Sequence, residues 1–147
     1  EIDVYLDPNW GLGQGFQYLV ASSNWGGGNL RDFVFHTYVD ESTGSMYVAG
    51  SNDFNDPPRT DLEDIGYEVT TAGWYTLQHI FSDVGGVLSV DMNLIDSNDN
   101  SVLIETLSNS TDIIATRVGG NGWGWFANIN IDGGLAIDET KLIRCPD

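Results

Sequence analysis

The sequence predicts an all-β chain folded as a two-sheet antiparallel β-sandwich of the jelly-roll kind. Apolar and polar residues alternate with period two in short runs bounded by Gly, Asn, Asp and Pro, and no run longer than about ten residues carries a helical stripe. The turns agree: Glu41–Gly44, Gly85–Gly86, Asp96–Asn100 and Asp132–Gly134 hold residues that tolerate positive φ or close a turn with their own side chains.

In chain order the alternation places strands at Ile2–Leu6, Gly15–Ala21, Asp32–Val39, Ser45–Ser51, Tyr67–Thr70 and Trp74–Ser82. Further strands follow at Val87–Asp96, Ser101–Leu107, Trp123–Ile131 and Leu135–Ile143. Between Ser51 and Ile65 two prolines and five acidic residues predict a long irregular loop. Ser110–Ala115, with Thr111 or Asp112 as a cap, is the one place where a helical turn is expected. No internal repeat, linker or low-complexity segment divides the chain, so residues 1–147 are expected to form one domain.

The charge narrows the partners. With 22 Asp and Glu against 5 Lys and Arg the net charge is -17, and the basic residues never cluster, which disfavours nucleic acid and anionic lipid. Such a surface repels itself unless salt or divalent cations screen it. Yet 41% hydrophobic and 12% aromatic residues are too many for a disordered acidic chain, so a packed core is expected. The only cysteine, Cys145, leaves no intrachain disulfide. No apolar run approaches the ~20 residues of a spanning helix, so membrane insertion is not expected. Glu1–Leu6 lacks the basic-then-apolar order of an export signal.

Five tryptophans are many for this length, and sugars bind by laying their C–H faces on aromatic rings. Trp25, in the glycine-flanked loop Ser22–Gly28, is hard to bury and is a candidate platform. Trp10, between Asp7 and Gly13, is a weaker one. Asn121 and Trp123 sit at a glycine-rich loop edge open to ligand contacts. Trp74, opening a strand beside Tyr75, reads as structural. His36 and His79, with Arg31 and Gln78 near them in sequence, are expected to form a polar patch on one concave sheet face, the alternative being ordinary solvated or satisfied histidines.

The stretches Arg31–His36, Gly73–His79, Val118–Phe126 and Gly134–Asp138 together resemble concanavalin A-like or laminin-G-like jelly-roll domains of secreted and surface-anchored bacterial proteins. The likeness covers about residues 16–142, and in its glycine-rich part Gly122 and Trp123 stand where that pattern has a basic residue followed by Tyr. It implies secretion to the exterior or cell surface and, by analogy with lectin-like folds, a carbohydrate-binding or adhesive module with a polysaccharide or glycan as partner. It also implies a structural calcium near the first strands, with Asp7 and Asp138 as ligand candidates and Asp53 and Asp56 of the long loop behind them. Asp96–Asn100 opens like an EF-hand loop, but Ser101 and Leu107 occupy the positions that need Gly and Glu, so a hairpin turn is expected there.

Enzyme signatures are sparse: no strand carries closely spaced carboxylates of the glycosidase kind, and no serine lies in a G-x-S-x-G setting. A lyase using His79, Tyr75 and Arg31 is the enzymatic alternative. The structural alternative is a subunit of an extracellular filament, sheath or surface layer that self-associates through edge strands or calcium, with Ile2–Leu6 as the pairing segment.

Overall fold

A computed structural model describes residues 1–24, 26–52, 61–113, 117–118 and 124–143. Its elements are β1 (Ile2–Leu6), β2 (Gly15–Ser23), β3 (Asn29–Val39), β4 (Met46–Ser51), α1 (Leu62–Ile65), β5 (Tyr67–Val69), β6 (Gly73–Val84), β7 (Val87–Asp96), β8 (Ser101–Ile113), β9 (Arg117–Val118), β10 (Gly124–Asn130) and β11 (Ile137–Thr140). They form two antiparallel sheets. Sheet A runs β11-β1-β6-β7-β8; sheet B runs β10-β2-β3-β4-β5, with β9 also pairing β2. The expected two-sheet β-sandwich is therefore what the chain forms. Among the described residues no helix is long and apolar enough to cross a membrane.

The two sheets meet over a core whose residues follow the alternation. Ile2, Val4 and Leu6 of β1 and Leu88, Val90, Met92 and Leu94 of β7 face Phe16 and Tyr18 of β2, Phe33, Phe35 and Val39 of β3, and Met46 and Val48 of β4. Sheet B is buried on its other face as well. Leu19, Val34, Tyr38 and Ala49 lie there almost wholly covered, and Leu62 of α1 packs on Tyr38 and Ala49. That double burial is why β2 and β3 read as near-continuous apolar runs while β1 and β7 alternate.

Several expectations need correction. The loop after β4 contains α1, a single turn held by its one buried residue, Leu62. Ser110–Ile113 continue β8 instead of turning into a helix. Asn109 Oδ1 accepts from the Thr111 amide and hydroxyl, which satisfies the backbone locally, while Asp112 is drawn to β3. The segment proposed to pair with a neighbouring molecule, Ile2–Leu6, has no free edge: β6 pairs it on one side and β11 on the other.

At Gly15 the strands approach so closely that a Cβ would press into the Thr37 carbonyl oxygen and the Tyr38 backbone. Because backbone rather than a flexible side chain would have to yield, Gly15→Ala is expected to lose about 1–3 kcal/mol or more. Urea denaturation of the variant measures this; a midpoint equal to the parent's would show that β2 and β3 can separate freely.

Candidate functional site

Period-two geometry scatters the predicted polar patch over three surfaces. Arg31 shares the inward parity of Phe33 and Phe35, and reaches across to sheet A. There it holds Asp112 in a two-point bridge, Nε to Oδ2 at 2.6 Å and Nη2 to Oδ1 at 3.1 Å. His79 lies between the sheets on β6, its ring 4.8 Å from that of Phe35 and near those of Tyr18 and Phe81. Its Nε2 donates to the Phe33 carbonyl oxygen at 3.0 Å, because a carbonyl can only accept. The residue as a whole is partly buried, but Nδ1 is shut off from water and has no hydrogen-bond partner. Desolvation pushes this imidazole down to about 3, against the weaker upward pull of its bond to Phe33.

Gln78 is on the outer face of sheet A, donating to Glu1 Oε2 and accepting from Asn93 Nδ2. His36 is on the outer face of sheet B, in the middle of a polar row that crosses four adjacent strands. Asn128 Nδ2 donates to Gln17 Oε1 (3.1 Å), Gln17 Nε2 meets His36 Nδ1 (3.0 Å), and His36 Nε2 meets Ser51 Oγ (2.9 Å). Gln17 and His36 are completely buried, whereas Asn128 is exposed and Ser51 partly so.

Of the metal candidates, Asp7 accepts from the backbone and side chain of Asn9, and Asp138 accepts from the Glu139 amide. Asp138 faces Asp3 across the β1–β11 pair, so Asp7 lies four residues further along, an offset of about 13 Å in extended chain. The structure does not bring them to one ion. Among the described residues no group of three or more His, Cys, Asp or Glu is placed to hold a metal. Trp25, Asp53, Asp56, Asn121 and Trp123 lie outside the described residues.

One concavity unites residues that the sequence leaves apart. A groove of about 260 Å³ is lined by β5, the following link, the start of β6 and the β7–β8 turn, among them Tyr67, Trp74, Tyr75, Asp96, Asn98 and Asn100. The register that pairs Tyr75 with Asp96 brings its two sides together. Trp74 is the second residue of β6, one after the observed start at Gly73, and it is 42% exposed; Tyr67 is 44% exposed. Tyr5, directly opposite Trp74 on β1, braces the indole edge-on at 5.7 Å. Tyr75 Oη donates to the Thr71 carbonyl at 2.7 Å and ties down the link.

The facing turn is equally fixed. Asp96 accepts from the amides of Asn98 and Asn100 and from Asn100 Nδ2, while Asp99 takes a positive φ of 62°. This is the expected hairpin turn. Hydrogen bonds from the Asn100 side chain and backbone hold the Asp96 carboxyl below its ordinary range, and burial raises the Tyr75 phenol, with the Asp96 charge adding to it. The groove thus combines rigid aromatic surface with amide groups and a fixed carboxylate. Sequence reasoning missed it because Trp74 and Asn98 are joined only by strand register; the short polar stretch Thr70–Gly73 just before a Trp-Tyr pair was the available signal.

Compared with known proteins, the chain matches no family model, no curated protein and no solved structure.

Proposed function

We propose that this domain is an extracellular glycan-binding module that takes a neutral saccharide unit in the groove between Tyr67, Trp74 and the Asp96–Asn100 turn. The observation that carries the reading is the exposed, Tyr5-braced Trp74 beside a turn rich in amides. A pyranose has an apolar C–H face and an equatorial rim of hydroxyls, so it needs one flat aromatic surface and a few fixed donors and acceptors at its edge. Glu68 and Asp96 in the groove, and the net charge of -17, disfavour a polyanionic glycan. A concavity of about 260 Å³ suits one or two sugar rings rather than a long oligomer. Calcium enters this reading as a counter-ion that would relieve the self-repulsion of the acidic surface.

The test is a glycan-array screen followed by calorimetry on Trp74→Ala and Tyr67→Ala. Loss of one stacking surface, worth about 0.5–1.5 kcal/mol beyond its buried area, together with that area, is expected to weaken binding roughly tenfold in Trp74→Ala. Glycan binding that is unchanged in both variants would place the site elsewhere.

Self-association is the second reading, and it moves from β1 to β8. This strand of 13 residues is one of the two outer strands of sheet A among the described residues, the longer beside the four-residue β11, and exposes Leu103 and Ile113. Sedimentation in high salt, with and without calcium, distinguishes the two: a rise in mass supports assembly.

A further inference from the structure

We propose that the row on the outer face of sheet B is a catalytic constellation for hydrolysis of carboxylic esters, with Ser51 as nucleophile, His36 as base and Gln17, held by Asn128, as the group that orients the base. Four observations lead there. First, the 2.9 Å between Ser51 Oγ and His36 Nε2 is the separation a hydroxyl nucleophile needs from its base, and the other ring nitrogen is held at 3.0 Å by a third residue.

Second, Gln17 and His36 are fully buried on a face whose other buried residues include Leu19, Val34 and Ala49, an environment in which polar groups are costly unless every bond is made. Third, Asn128 reaches Gln17 by local strain: its φ is 51°, and the β10–β2 register slips between Ala127 and Asn130. Bulges with such backbone re-aim a side chain and concentrate near functional sites. Fourth, Ser51 ends its strand and is partly exposed, unlike the fully buried Gln17 and His36.

In the resting arrangement Gln17 donates to Nδ1, and His36 Nε2–H points at Ser51. A primary amide keeps its outline after a half-turn. Turning Asn128 and Gln17 together reverses the three bonds named above: Asn128 Oδ1 accepts from Gln17 Nε2, Gln17 Oε1 accepts from Nδ1–H, and His36 Nε2 becomes the acceptor of the Ser51 hydroxyl. In that state Ser51 Oγ attacks the ester carbonyl carbon while its proton passes to His36 Nε2. The tetrahedral adduct expels the alcohol, which takes that proton, and leaves acyl-Ser51. Water then attacks the acyl carbon, gives its proton to His36, and the carboxylic acid departs as Ser51 recovers the proton. The site is independent of the saccharide groove, and either can fail alone.

The test treats the folded full chain with a fluorophosphonate probe and follows p-nitrophenyl acetate hydrolysis across pH. One phosphonate adduct on Ser51 is expected, with hydrolysis lowered at least ~100-fold in Ser51→Ala and in His36→Gln, and a rising limb in the parent's pH profile that Ser51→Ala lacks. If His36→Gln does not fold, Ser51→Ala, which removes one hydroxyl from a partly exposed strand end, decides the matter. An unlabelled Ser51, or ester hydrolysis undiminished in Ser51→Ala, overturns the proposal and leaves the row as a clamp between strands.

Discussion

Stability is expected to fall by about 2–3 kcal/mol between pH 6.5 and 4.5 because of His79 alone. The unfolded chain takes up a proton on this residue near pH 6.5, while the folded chain refuses it until about pH 3. Stability present at neutral pH is therefore lost progressively as pH falls through that window, at up to about 1.4 kcal/mol per pH unit. The structural cause is the enclosed Nδ1 and the ring of Tyr18, Phe35 and Phe81 around it, which offer no solvation to an imidazolium. Against a total stability of about 5–15 kcal/mol this is a large fraction.

Carboxylates add a later loss. Asp40 accepts from the side chains and amides of Ser42 and Thr43, and Asp96 from its own turn, so both titrate below their ordinary range. What they contribute is present above about pH 4 and disappears below it. Urea titrations at several pH values on the parent and on His79→Phe separate the two phases. The variant is expected to lose the slope between pH 6.5 and 4.5 while keeping the fall below pH 4. Parallel curves for the two proteins throughout would mean that His79 accepts its proton in the folded state.

The strands were legible in the sequence where one face meets water. β1 and β7 alternate cleanly, and their expected bounds, Ile2–Leu6 and Val87–Asp96, are the observed ones. Sheet B was harder, since burial on both sides removes the contrast that alternation needs, and a His and a Gln within β3 and β2 then look like surface residues. That is why the sequence does not single out Gln17 and groups His36 with Arg31, Gln78 and His79, although strand parity alone separates them. The sequence ends β8 at Leu107 because Thr111 or Asp112 reads as the cap of a helical turn, and only the distant Arg31 explains why Asp112 remains on a strand. The groove was illegible for a different reason. Its two sides lie about 20 residues apart and meet through the β6–β7 register, which composition does not reveal.

Arg31→Ala is expected to cost about 3–5 kcal/mol, because it strands the Asp112 carboxylate, which is 2% exposed, between the sheets. The guanidinium sits 21% exposed at the mouth of the same site, so its own desolvation is modest while its partner's is nearly complete. Arg31→Lys is expected to recover only part of the loss, since an ammonium cannot match both carboxylate oxygens at once. Removing both charges, in Arg31→Met with Asp112→Leu, is expected to restore most of the stability, because the penalty arises from an unpaired buried charge rather than from the absence of a salt bridge.

The clamp joins β3 of sheet B to β8 of sheet A and holds in place the far end of a long outer strand. Hydrogen exchange should accordingly show the amides of residues 108–113 opening faster in Arg31→Ala while those of β1 keep their ranking. An unfolding free energy within about 1 kcal/mol of the parent's, together with unchanged exchange in β8, would show that water reaches Asp112 when Arg31 is gone, and that packing alone keeps the two sheets closed at that end.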